Sequence, residues 1–210
     1  MTWPKSDKSD FGWGGTKAAA PMRVLATILF SLWLSPAVAA DDAASLWAAL
    51  RGGGHVALVR HGPTTGGAGD PPGFKLEDCA TQRNLTDSGR AQARRLGERF
   101  RAEAVVVGKV LSSQWCRCRE TADLMMLGQF ELAPTFNNAF TYRDRVDELT
   151  AGGRAIIAAW SGPGALVVVT HGANILPLTG IMPEEGGAVV VKSEPASPAK
   201  LRVLGRIQEP

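Results

Sequence analysis

The 210-residue chain holds only three cysteines and three histidines, and it contains no internal repeat and no long low-complexity segment. Its formal net charge is only +3, which offers no basic stripe of the kind a nucleic-acid binder presents. Its apolar run VLATILFSLWL, residues 24–34, is short of the roughly 20 residues that a membrane-spanning helix needs. A structural zinc site needs about four ligands at suitable spacing, and Cys116 and Cys118 with a distant Cys79 do not provide them. A thiol redox pair normally reads C-x-x-C beside a helix start; the motif here is C-x-C. What remains is ordinary globular composition, 45% apolar and 20% charged, enough for one domain with a substantial core.

The first forty residues stand apart from that domain. Residues 1–21 are polar, Gly-rich and aperiodic, and read as an upstream extension, with translation expected to start at Met22. Residues 22–40 combine a positive start at Arg23, the apolar run and an Ala37–Ala40 exit, the pattern of a secretory signal peptide. A single domain is expected over 41–210. Past the leader the chain holds 19 basic and 18 acidic residues, so bulk charge says little about partners. Export does say something: it places the three cysteines in an oxidising compartment, the periplasm, with no stable membrane span after cleavage.

Along the domain, short apolar runs alternate with amphipathic segments. HVALV (55–59), VVVGKVLSS ending near Ser112 and ALVVVTHG (165–172) predict three buried strands. Leu85, Gly89, Ala93, Leu96 and Phe100 recur at helical spacing, with Thr86 or Asp87 as the cap. Further helices are expected over about 117–127 and 145–160, and two late β segments over 188–192 and 201–207. This alternation predicts a three-layer α/β/α sandwich with a mostly parallel central sheet.

The residues just past each strand carry the chemistry. The first strand delivers Arg60, His61 and Gly62, the second Ser112, Ser113 and then Arg117, the third Thr170, His171 and Gly172. Carboxyl ends of parallel strands share one edge, where ligands bind, so two histidines and two arginines are expected to converge there. Arginine forks suit tetrahedral oxyanions, and a helix opening near Arg117 adds N–H groups. A neutral imidazole can attack phosphorus and form a phosphohistidine, and neighbouring guanidinium charges favour that neutral form. His55, at the opposite end of its strand, is expected to have no functional part.

LVRHGPT (58–64), SSQWCRCRETA (112–122) and VVVTHGANI (167–175), supported by NLTDSGRAQA (84–93), resemble the histidine phosphatase superfamily with its phosphoglycerate mutase-like fold. The resemblance implies a metal-independent phosphomonoesterase of histidine acid phosphatase type, without cofactor. It implies His61 as nucleophile, Arg60 and Arg117 as phosphate ligands, and His171 as a second group on the transferring phosphoryl. Arg83, Thr64 and the Gly172 amide are weaker pocket candidates. The cysteine-bearing version behind a leader resembles an exported bacterial subgroup that includes lipopolysaccharide core heptose phosphate phosphatases. That implies a small phosphorylated substrate, a cell-envelope phosphosugar among the possibilities. The alternative is a non-catalytic or weakly active protein that holds a phosphorylated ligand in the same pocket.

One departure stands out. Where many relatives carry a general acid after the second helix, this chain has Asn137 and Asn138. Asp70 or Glu77 from the 63–78 loop could swing in, or the substrate could carry an easy leaving group. For sulfur, Cys116 and Cys118 cannot both face Cys79 from one helix start. Cys79–Cys118 is the first expectation, Cys79–Cys116 the second, and three free thiols the alternative.

Overall fold

The computed structural model describes residues 39–193 and 200–208. The extension read over 1–21 and the leader read over 22–40 lie outside the described residues, apart from positions 39 and 40, where helix α1 (Ala39–Arg51) begins. Beyond α1 the order is β1 (Val56–Arg60), α2 (Asp87–Ala102), β2 (Val107–Ser112), α3 (Cys116–Met125) and β3 (Phe130–Leu132). Next come α4 (Val146–Ala158), β4 (Ala165–Thr170), α5 (Gly172–Thr179), β5 (Ala188–Ser193) and β6 (Leu201–Ile207).

The six strands form one sheet in the order β3-β2-β4-β1-β5-β6. β1, β2, β3 and β4 pair in parallel, and β5 and β6 close the sheet antiparallel. Every residue of β4 is buried, because both faces of the sheet are covered. Side chains alternate across the pleat. Ala57 and Val59 of β1 pack with Leu46, Trp47 and Leu50 of α1, Leu96 and Phe100 of α2, and Cys118, Ala122 and Met125 of α3. Val56 and Leu58 point the other way, into a core with Ile157 of α4 and Ile175 and Leu178 of α5. This is the three-layer α/β/α arrangement expected from the sequence.

Local chemistry explains the element bounds. The Thr86 hydroxyl accepts from Gly89 N at 3.0 Å and starts α2 as an N-cap. Leu85, Ala93, Leu96 and Phe100 are all buried, as their spacing requires. Three elements were not anticipated. The described part of α1 adjoins the stretch read as a leader, although Leu46, Trp47 and Leu50 make a helical apolar stripe. β3 is only three residues long, and α5 is eight residues with Pro177 inside it, a breaker that hides a helix from pattern reading. Among the described residues no helix is long and apolar enough to cross a membrane.

The sheet register positions the site. Arg60 pairs with Thr170, and Ser112 pairs with Val169. His61 N donates to Thr170 O at 3.0 Å and Ser113 N to Val169 O at 2.9 Å. The three strands therefore release their chains at one level of one edge. His55 lies at the other end of β1, its Nδ1 bonded to Gly53 O at 2.7 Å.

α2 and α3 touch through backbone. A Cβ added at Gly97 would stand 2.0 Å from Met125 O, closer than any relaxation of side chains can repair. Gly97→Ala should therefore destabilise the fold by about 3 kcal/mol or more, the upper part of the overpacking range. In a domain of this size that is a fall in Tm of roughly 6–12 °C; a melt within about 2 °C of wild type, the shift that ~1 kcal/mol or less would give, would show that the helices are not in contact there.

Candidate active site

A cavity of about 410 Å³ opens at this sheet edge, lined by Arg60, His61, Arg83, Arg117, His171 and Gly172 together with residues of three loops. Six of the seven residues expected at the pocket from strand-end position or motif thus meet across gaps of up to about a hundred residues, Gly172 among them as the N-terminal residue of α5. Thr64 is not in the lining; its hydroxyl accepts a hydrogen bond from Arg83 Nη2 and so holds that side chain in place.

The two imidazoles stand edge to face, with ring centroids 5.3 Å apart. His61 Nδ1 lies 2.8 Å from Gly62 O. A carbonyl only accepts, so Nδ1 carries the proton and Nε2 keeps its lone pair. Burial, then the charge of Arg117, with those of Arg60 and Arg83 behind it, lowers the His61 pKa to about 3 against the pull of the Gly62 carbonyl. Burial likewise holds His171 well below the usual histidine range, helped by His61 and Arg117. Both rings are neutral at physiological pH. His171 Nε2 bonds Ser113 Oγ at 2.9 Å, and Ser113 Oγ in turn donates to Asn137 Oδ1 at 3.3 Å.

Arg117 is buried with its charge, and its partner is Asp70. Nη1 reaches Oδ1 at 2.7 Å and Nη2 reaches Oδ2 at 3.2 Å, with both side chains 2% exposed or less. Trp115 Nε1 donates to the same carboxylate at 2.8 Å and Arg83 N at 3.0 Å. Burial alone would raise the Asp70 pKa, but the hydrogen bonds from Arg117 and Arg83 N and the charge of Arg117 outweigh it and hold the group below its ordinary value. Asp70 is therefore an ionised anchor, and the expectation that it swings in as a general acid is overturned. Glu77 is exposed and outside the cavity lining. Arg60 donates from Nη1 to Pro183 O at 3.0 Å and pairs from Nη2 with Glu185 at 3.3 Å. The Nε groups of Arg60 and Arg117 are buried without any protein acceptor.

The two asparagines standing where an acid was sought belong to a fixed amide network. Asn137 Oδ1 accepts from Gln114 N at 2.9 Å, and its Nδ2 donates to Gln114 Oε1 at 2.8 Å. Asn138 lines the cavity and accepts from Phe140 N at 3.1 Å. Neither can supply a proton to a leaving group. Sequence reading missed Glu185, Phe140 and Met182, which also line the cavity. Their only sequence signal is loop position, since no strand end delivers them.

The disulfide joins Cys79 to Cys116, which corrects the first expectation of Cys79–Cys118. The reason lies in the α3 stripe: Cys118, Ala122 and Met125 all face the sheet core, so Cys118 turns inward and Cys116 outward. Cys118 is free and buried, with Sγ 3.5 Å from His171 Nε2, and burial pushes its thiol pKa up to about 12. The bond ties the loop ahead of Arg83 to the first residue of α3, one position before Arg117. Among the described residues no cluster of three or more His, Cys, Asp or Glu could hold a metal ion.

Residues 56–141 match the family model described as Histidine phosphatase superfamily (branch 1). The matched stretch is about two fifths of the chain and holds the first two strand-end motifs, and over it the chain is similar to the histidine phosphatase superfamily. A Drosophila virilis protein, Serine/threonine-protein phosphatase Pgam5, mitochondrial, is 33% identical over 72 residues, covering 34% of this chain and 22% of that protein. The matched stretch is thus about a fifth of that relative's length. A putative alpha-ribazole-5'-P phosphatase from Escherichia coli superposes with a TM-score of 0.52 at 17% identity, over 73% of this chain and 96% of the other. A phosphoserine phosphatase from Entamoeba histolytica gives 0.50 at 14% identity, over 74% and 97%. At that identity these structures show a shared fold.

The buried charges and the sulfur each have a measurable consequence. Below pH 6.5 the unfolded chain binds protons on residues 61 and 171 that the native state refuses. Stability should therefore fall as pH drops from about 6.5 towards the folded value of His61, near 3, by up to about 1.4 kcal/mol per pH unit for each ring. Asp70, whose folded value is depressed, adds a loss of the same sign once pH falls below about 3.9. Urea midpoints at pH 7.5 and 4.5 check this, and His61→Ala should lessen the difference. Separately, non-reduced, denatured protein should show one alkylatable thiol, on Cys118. Removing the bond with Cys79→Ser/Cys116→Ser should cost up to about 3–4 kcal/mol on the chain-entropy model for a separation of 37 residues.

Proposed function

We propose that the protein is a phosphomonoesterase that cleaves a small phosphorylated substrate through a phosphohistidine on His61. The observation that carries this reading is the pair of buried, acceptor-less guanidinium Nε groups on Arg60 and Arg117, in residues that line one cavity with a neutral imidazole. Buried donors of that kind call for an anionic acceptor, and a tetrahedral oxyanion matches guanidinium geometry.

Seated between the arginines, the phosphoryl group meets His61 Nε2. Nitrogen forms a bond to phosphorus as the bond to the leaving oxygen breaks, and Nδ1 keeps its proton on the Gly62 carbonyl, so the ring stays oriented while it gains charge. Arg60 and Arg117, with Arg83 behind them, stabilise the equatorial oxygens. His171 adds a second imidazole to the same cavity wall. Water then displaces phosphate from the nitrogen. Charge neutralisation here is the work of guanidinium groups, which supports a metal-independent reaction of the histidine acid phosphatase type.

Export to the periplasm belongs to the same proposal. It rests on the leader pattern over 22–40, and a disulfide between Cys79 and Cys116 suits such a compartment. A phosphosugar of the cell envelope as substrate rests on the subgroup resemblance. A second reading, a protein that binds a phosphorylated ligand without turning it over, is favoured by the amides at Asn137 and Asn138. The two readings separate on p-nitrophenyl phosphate in the presence of EDTA. Hydrolysis should persist, an acid-labile phosphoenzyme should be trapped on residue 61, and His61→Ala should lower kcat/KM by on the order of 10³-fold or more. Wild type as inert as His61→Ala, with both binding inorganic phosphate, would establish the binding reading instead.

A further inference from the structure

We propose that Glu185 is the general acid and base of this site, a role that rests on the phosphohistidine reading above. Among the described residues it is the one carboxylate that lines the cavity. The other acids considered are ruled out by geometry: Asp70 is locked to Arg117, and Glu77 and Glu184 are exposed and outside the lining.

The segment that carries Glu185 is fastened to the nucleophile's own backbone. Gly186 N donates to Arg60 O at 3.1 Å and to His61 O at 2.9 Å, and Arg60 N donates to Gly187 O at 2.9 Å. Pro183 O takes Arg60 Nη1 at 3.0 Å. Glu185 thus sits on a loop whose two flanks are hydrogen-bonded to residues 60 and 61, which confines its position relative to His61. Its side chain is 30% exposed, open to the cavity, and Oε1 lies 3.3 Å from Arg60 Nη2. The charged groups that face it are Arg60 and Arg83. A phosphoryl group seated on Arg60 competes with Glu185 Oε1 for Nη2 and leaves the carboxyl group free to face the leaving oxygen.

The proton balance closes over one turnover. As His61 Nε2 bonds to phosphorus, the bond to the leaving oxygen breaks, its electron pair stays on that oxygen, and the Glu185 carboxyl proton neutralises it. In the second half the Glu185 carboxylate takes a proton from water. The water oxygen bonds to phosphorus, the phosphorus–nitrogen pair returns to Nε2, and Glu185 is protonated again. The amides at Asn137 and Asn138 then mark a relocated acid, placed in the loop before β5 and not in the segment that follows α3 and β3.

A series of ring-substituted phenyl phosphates, equal in shape and graded in leaving-group basicity, tests this in kcat/KM, which reports the first half-reaction. Glu185→Gln should lose on the order of 10²-fold or more with the most basic leaving groups, as the loss of a general acid does, and far less with p-nitrophenyl phosphate. The slope against leaving-group basicity steepens, and a burst of about one equivalent of p-nitrophenol appears because phosphoenzyme hydrolysis lacks its base. Glu185→Ala should steepen the slope equally. Parallel lines, whether lowered uniformly or unchanged, would overturn the proposal and make Glu185 a positioning partner of Arg60. His61→Ala run beside them keeps the two readings apart: full activity there would sink the phosphohistidine reading, whatever Glu185 does.

Discussion

A guanidinium group taken out of water has to be paired, and the Arg117–Asp70 contact meets that demand at the centre of this site. Arg117 is 2% exposed, and removing its partner would leave a buried charge uncompensated, at a cost of about 3–5 kcal/mol. The pair brings order to a segment with no regular structure of its own. Asp70 belongs to a Gly- and Pro-rich loop, and its carboxylate gathers Arg117, the Trp115 indole and the Arg83 amide at once. The Cys79–Cys116 bond fastens the same loop to α3 from the outside. Loop and helix start are thus one unit, presenting two arginines to a single cavity.

That accumulation of positive charge explains the state of the histidines. A ring among three guanidinium groups and away from water has two reasons to stay neutral, and both act on His61. A neutral imidazole with its Nδ1 proton held by a carbonyl is a nucleophile prepared before substrate arrives. The binding groups and the nucleophile are therefore not independent parts. The arginines that would hold phosphate also reinforce, beside burial, the neutral state of the residue that would attack it.

The convergence itself depends on the pairing of β1, β2 and β4. Parallel pairing in register brings residues 60, 112 and 170 to one level, so the next residues along each chain emerge side by side. Reading of the sequence was strongest here, because an apolar run ending in a polar residue is a local pattern and parallel sheets collect such ends on one edge. His61, His171, Arg60 and Arg117 were legible for that reason, and so were the α2 core positions 93, 96 and 100. Glu185, Phe140 and Met182 were not, because they reach the cavity from loops, whose course is set by contacts distant in sequence. Asp70 was visible as an acid but not as an anchor.

Layer order, the buried strands and the residues delivered at their ends were all written in the chain, since burial and alternation show themselves in local periodicity. Which groups pair was settled in three dimensions. Cys79 met Cys116 because the α3 stripe turns Cys118 into the core. Asp70 gave up its freedom to Arg117, and Glu185 took the place beside Arg60. Pairing depends on distance through space and on the energy of leaving a charge unmatched, and neither is carried by spacing along a chain.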